Sequence, residues 1–294
     1  MPFRMPVPSL KSRYEERAPD LEAMMAVVNA TEPERAKYAK HLNRPGVIFQ
    51  YAYYTALVRE WLPSPTAVIC DWGGQYGHVT RLLRRHYANV ICYVPDGTEF
   101  EAEYFHQGFG ISDAVRFGPG YGHPEIPLAD EREDAVISSG VLEHTREYEV
   151  SETASLTEIR RVLKPGGRLF VWNLPRRWGS VELLNKVLGR SIHQYKYDRS
   201  QVRSLLGQSG FEIDLLDAHE FLNLSTRNLL GRVVGDVRAW TLDYYLSKIF
   251  LLGLFCQHFT IVAHLPSAAS QATIGPDASA QSEPGMSGSR HSGE

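Results

Sequence analysis

The chain has 294 residues, 43% of them apolar and 11% aromatic, which is enough to fill one large or two small hydrophobic cores and excludes a wholly disordered chain. A formal charge of -3 supplies no broad basic surface for a nucleic-acid backbone, so a polynucleotide substrate is not expected. The three cysteines, Cys70, Cys92 and Cys256, form no C-x-x-C pair and are read as core residues.

In chain order, residues 1–20 are rich in proline and charge and lack the apolar stretch of a secretory signal; a cytoplasmic location follows by default. Helical patterning then runs from Leu21 to Trp61, ending in the aromatic stretch "VIFQYAYYTALVREWL", and "PSP" closes it. Residues 1–62 are therefore expected to form a helical N-terminal cover. After it, short apolar runs alternate with helical stretches, the pattern of parallel strands joined by crossover helices. Strands are expected at 67–72, 89–94, 114–118, 134–139 and 168–174, then at "FEIDLLDA" and "FTIVAHL". A helical insert is expected at about 225–256 within a domain spanning 63–265. Residues 266–294 have almost no large apolar side chains and should be disordered.

One stretch, residues 249–268, is uncharged over nearly the length of a membrane span. Gln257, His258, Thr260 and His264 interrupt it and Pro266 ends it, so a buried helix end followed by a final strand is the expected reading. Peripheral contact with a membrane surface stays open as an alternative.

The chemistry centres on "AVICDWGGQYGHVTRLLRRH", residues 67–86, where an apolar run ends in Asp71 and glycines precede a helix. In open parallel sheets, ligands bind beyond the carboxyl ends of the strands. The dinucleotide spacing G-x-G-x-x-G fails from both Gly73 and Gly74, and no G-K-[ST] follows for a phosphate loop. Asp71 disfavours an anion at the helix start and suits a cationic ligand.

Together with "EDAVISSGVLEHT" (133–145), "EIRRVLKPGGRLFVWNLP" (158–175) and "QVRSLLGQSGFEI" (201–213), this stretch resembles the class I S-adenosylmethionine-dependent methyltransferases. The resemblance implies a Rossmann-like α/β fold: a mostly parallel seven-stranded sheet, helices on both faces, and an antiparallel last strand. It implies S-adenosyl-L-methionine as cofactor, held by Asp71, Gly73, Gly74 and Gly77 of the glycine turn and by Ser139 and Gly140 after the fourth strand. The ribose-binding acid that this family carries after its second strand is assigned to Asp96. Gln75 stands where the family's middle glycine would be.

Two histidines are candidate bases, His144 after the fourth strand and His193 on the loop after the fifth. Glu143 beside His144 does not make a metal site, because adjacent residues on one turn diverge, and no metal is expected. The expected activity is O-methylation of a small molecule, a secondary metabolite or a lipid-linked saccharide. The alternative is a catalytically inactive scaffold that binds the same cofactor.

Overall fold

The computed structural model describes residues 19, 22–31, 42, 45–95, 99–120, 122–189 and 193–267. Asp96 and residues 268–294, the bulk of the expected tail, lie outside the described residues, as does much of the N-terminal cover.

Seven strands form one sheet in the order β3-β2-β1-β4-β5-β7-β6. They are β1 Val68–Trp72, β2 Asn89–Pro95, β3 Val115–Gly118, β4 Glu133–Ser139, β5 Leu163–Pro175, β6 Glu212–His219 and β7 His258–His264. Central β1 pairs parallel with β2 and β4, placing Asp71 opposite Cys92 on one side and Ile137 on the other. Because both faces of such a strand are covered, its residues are apolar without alternation; Ile69 and Cys70 are both fully buried. Only β7 runs antiparallel, inserted between β5 and β6. As expected, all three cysteines are buried.

The helices are α1 Pro45–Trp61, α2 His78–Leu83, α3 Glu99–Gly108, α4 Glu152–Val162, α5 Ser180–Val187, α6 Arg199–Gln208, α7 Leu224–Val234, α8 Asp236–Lys248 and α9 Phe250–Gly253. In α4, Leu156, Ile159 and Val162 recur at helical spacing and are fully buried, while Ser151 caps the start by accepting from Ala154 N at 3.1 Å. The "KPGG" turn after it needs its glycines. Gly166 has φ +79°, and a Cβ on Gly167 would lie 2.8 Å from Lys164 O.

α1 covers the sheet: Tyr54 stacks on Trp172 of β5 with ring centroids 4.5 Å apart. The expected insert is three helices, broken at Gly235, where φ is +90°, and at Ile249. The stretch at 249–268 divides as expected into a helix end and a strand, and no described helix is long and apolar enough to cross a membrane. The helix end departs from expectation in one respect: Phe250 is 80% exposed and Leu251 66%, and no residue of α9 is buried.

Candidate functional site

A cleft opens over the carboxyl ends of β1, β2 and β4. It is lined by Trp72, Gly73 and Gln75 of the glycine turn, Tyr93 and Pro95 of β2, and Gly140, Val141 and His144 after β4. The turn between β1 and α2 uses three left-handed backbone positions, Gly73 at φ +71°, Gln75 at φ +39° and Gly77 at φ +76°. A Cβ at Gly73 would sit 2.6 Å from Val141, and one at Gly77 only 1.9 Å from Ile111 Cδ1. Gln75 thus holds a conformation that glycine adopts at no steric cost, and its carbonyl is anchored by the His106 ring at 2.5 Å.

The sequence-derived residues divide into two groups. Gly73, Gly140 and His144 line the cleft, and Ser139 precedes it at the end of β4. Asp71, Gly74 and Gly77 do not line it. Asp71 is buried, and its Oδ2 accepts from Thr80 N at 3.0 Å and Thr80 Oγ1 at 2.7 Å, so it fastens the start of α2 where a ligand-facing acid was expected. Burial pushes its carboxyl up to about 6, with the Thr80 bonds opposing. A Cβ on Gly74 would approach Cys92 Sγ to 2.6 Å and Asp71 Oδ2 to 2.9 Å, so this glycine serves packing behind the turn.

The two candidate bases come together. His144 and His193 lie with ring centroids 6.4 Å apart; His144 lines the cleft, and His193 stands behind it, outside the lining. His193 Nδ1 is 2.7 Å from Glu182 Oε1 on α5, and Lys196 Nζ is 2.7 Å from the other oxygen of the same carboxylate. Burial holds the His193 pKa below the usual histidine value, with Glu182 opposing. Burial would raise the Glu182 carboxyl, but Lys196 and His193 together hold it below its ordinary range. His144 Nδ1 faces Glu147 Oε2 at 3.1 Å.

Sequence reasoning missed the rest of this edge. His258, first residue of β7, pairs in register with His219, last residue of β6, because β7 runs backwards between its neighbours. The rings continue the series from His193, with centroids 6.2 Å from His193 to His258 and 5.9 Å on to His219. His219, Glu220 and His258 bring donor atoms within 4.8 Å of one another, a spacing that suits a metal ion. Each is already engaged: His258 Nδ1 with Glu220 Oε2 at 2.6 Å, Glu220 Oε1 with Arg227 at 2.9 Å, and His219 with Tyr54 OH at 2.8 Å and Thr260 Oγ1 at 3.1 Å. Burial lowers His219 to about 3, while Glu220, though burial opposes it, is held low by Arg227 and His258. No spacing rule joins these positions; only the sheet order does.

Residues 70–171, from β1 into β5, match the profile of the methyltransferase domain family. That stretch of the chain is a methyltransferase domain. Among solved structures, the chain resembles a Galdieria sulphuraria protein described as a "putative sarcosine dimethylglycine methyltransferase", at 16% identity over 81% of this chain and 90% of that one, with a TM-score of 0.50. It also resembles a chain from the complex of a Haloferax volcanii methyltransferase with its activator, at 20% identity over 73% and 90%, again with a TM-score of 0.50. At these identities the likeness speaks for the fold. No curated protein sequence matches the chain.

The cleft suits the family's cofactor on its own features. Among the described residues, Ser155 Oγ is buried in the cleft wall without a hydrogen-bond partner. A Cβ position at Gly140 is open, its nearest atom being Glu143 Oε1 at 3.9 Å, so backbone is exposed to a ligand there.

Proposed function

We propose that the methyltransferase alkylates a hydroxyl group on a small molecule with an apolar part, either a secondary metabolite or a lipid-linked saccharide. The observation that carries this reading is the pair of His193 and Glu182, 2.7 Å apart, beside His144 at the cleft mouth. S-adenosylmethionine supplies a methyl group already activated on a sulfonium. What remains for the chain is to hold the two partners in line, keep water out, and remove the hydroxyl proton.

Cofactor holding falls to the backbone of Gly73 and Gln75, to Ser139 and Gly140, and to the walls Trp72 and Tyr93, with the ribose acid assigned to Asp96. Asp71 acts through Thr80, keeping α2 and the glycine turn in position. On the acceptor side, the Glu182 carboxylate accepts from His193 Nδ1–H and so favours the tautomer whose basic nitrogen is Nε2. A base whose pKa burial holds below the ordinary value is unprotonated at neutral pH, as proton removal from a hydroxyl requires. A neutral amine acceptor would attack through its own lone pair and need no base before transfer.

The test has two stages. Calorimetric titration with S-adenosylhomocysteine, with NAD as control, is expected to give micromolar binding to S-adenosylhomocysteine only. Incubation with isotopically labelled methyl donor and a panel of hydroxyl, amine and carbon-acid acceptors should then label the hydroxyl compounds, and preferential labelling of amines would overturn the reading.

A further inference from the structure

We infer that the face formed by α5 and the end of the helical insert docks on an anionic lipid bilayer. On α5, Leu184, Val187 and Leu188 fall at i, i+3 and i+4 and point outward, Val187 being 84% exposed. Phe250 and Leu251 stand out from α9 in the same manner. The two segments are one surface, since Ser180 N donates to Phe255 O at 2.9 Å and Val181 N to Gln257 Oε1 at 3.1 Å. Arg176 fastens the back of this surface, donating to Gly253 O at 2.6 Å and Cys256 O at 3.1 Å. Bulky apolar side chains at this density are uncommon on a surface that faces only water.

Charge identifies the occupant. Along 177–189 and 224–256, Arg177, Lys186, Arg232 and Arg238 are exposed, whereas the acids Glu182 and Asp243 are buried and Asp236 is half-buried. A chain of net charge -3 therefore exposes cations and no fully exposed acid along these two segments, with Arg177 just before α5 and Lys186 on it. Apolar side chains fringed by lysine and arginine match the acyl boundary and headgroups of an anionic leaflet. A second copy of this chain would bring the same cationic fringe against itself. Glu182, which holds His193, lies on the inner side of α5, so docking sets the acceptor mouth beside the headgroups. The inference does not depend on which acceptor is methylated.

The test is flotation of the full chain with vesicles of phosphatidylcholine alone and of phosphatidylcholine with phosphatidylglycerol, without methyl donor. Binding is expected on the anionic vesicles, weakened by added salt. Phe250→Ser with Leu251→Ser should lower it on the order of tenfold or more, and Lys186→Glu about fivefold. Since these side chains face solvent, both variants should keep the parent melting temperature and its affinity for S-adenosylhomocysteine. The inference fails if the folded chain ignores anionic vesicles, or if the double variant binds them equally well. A dimer in sedimentation that the double variant dissociates would likewise overturn it, assigning the face to a second copy.

Discussion

On the β1–β4 side of the sheet edge the cleft is made of backbone: left-handed turns, missing side chains and one buried acid that ties a helix start. Beside it, toward β5–β7, the edge is made of side chains, His193, His219 and His258 with their carboxylate partners, brought in from α5, the loop before α6, the end of β6 and the start of β7. The first construction tolerates almost no change of shape, because Cβ atoms at Gly73 and Gly77 have nowhere to go. The second tolerates changes of shape and is sensitive to changes of proton affinity. In the proposed function the first side holds the cofactor, common to a whole reaction class, and the second the acceptor, which differs from enzyme to enzyme.

Substitutions can sharpen that contrast. His193→Gln is expected to lower kcat by roughly 10²–10⁴ with binding of S-adenosylhomocysteine unchanged, the loss typical of a removed general base. In the parent enzyme the rate should rise with pH through a value below 6.5 and then level off. Glu182→Gln should move that limb lower still, since the carboxylate raises His193. A rate loss in His193→Gln matched by an equal loss of cofactor affinity would erase the distinction between the two sides.

On the backbone side, Gly77→Val should cost on the order of 3 kcal/mol in stability, from the contact with Ile111 and the positive φ, and abolish calorimetric binding of S-adenosylhomocysteine.

Glu143 offers a pH test at the junction. It is buried after β4 with Oε2 unpartnered among the described residues, and burial pushes its carboxyl up to about 8. The folded state therefore holds a proton that the unfolded state, with its ordinary value of 4.5, releases. This group's contribution to stability is present below 4.5 and is lost as pH rises from there to about 8. Glu143→Gln should flatten that decline, gaining on the order of 2 kcal/mol at pH 8 in denaturant melts.

The smallest effect is expected from Tyr54→Phe, which removes the hydroxyl joining Asn173 Oδ1 at 2.6 Å to His219 Nε2 at 2.8 Å. About 1 kcal/mol should be lost on melting, with a small change in kcat.

What the sequence discloses follows the same division. The parallel strands and the glycine turn are visible because they depend on local spacing, and Gln75 is legible as an intruder in the motif, though only the structure shows its backbone in the conformation glycine takes there. His144 and His193 are visible as candidates because each follows a strand that ends at the ligand edge. Their proximity is not visible, nor is the role of Glu182, which reads as an ordinary helical acid. His219 and His258 look like unremarkable strand residues until the reversed β7 sets them in register. Asp71 shows the converse: its position in the motif is plain, yet only the fold reveals that Thr80 takes its carboxylate. The run ending at Phe255 was expected to bury its helix end, because an apolar run carries no mark of which of its residues will face outward.

The insertion of β7 between β5 and β6 has a consequence for the order of assembly. As the chain emerges from the ribosome, β1 to β5 can form their parallel ladder with each new strand joining a finished neighbour, and the cofactor cleft can take shape at once. β6 is made next but has no edge to join, since its only partner in the sheet is a strand not yet synthesised. Until His258–His264 appears, the edge of β5 stays open, the insert helices have no sheet beneath them, and the histidine series is incomplete. The last strand closes the fold and completes the histidine series together, so a nascent chain that has already formed its cofactor cleft and made His193 still lacks the His258 ring that packs beside it.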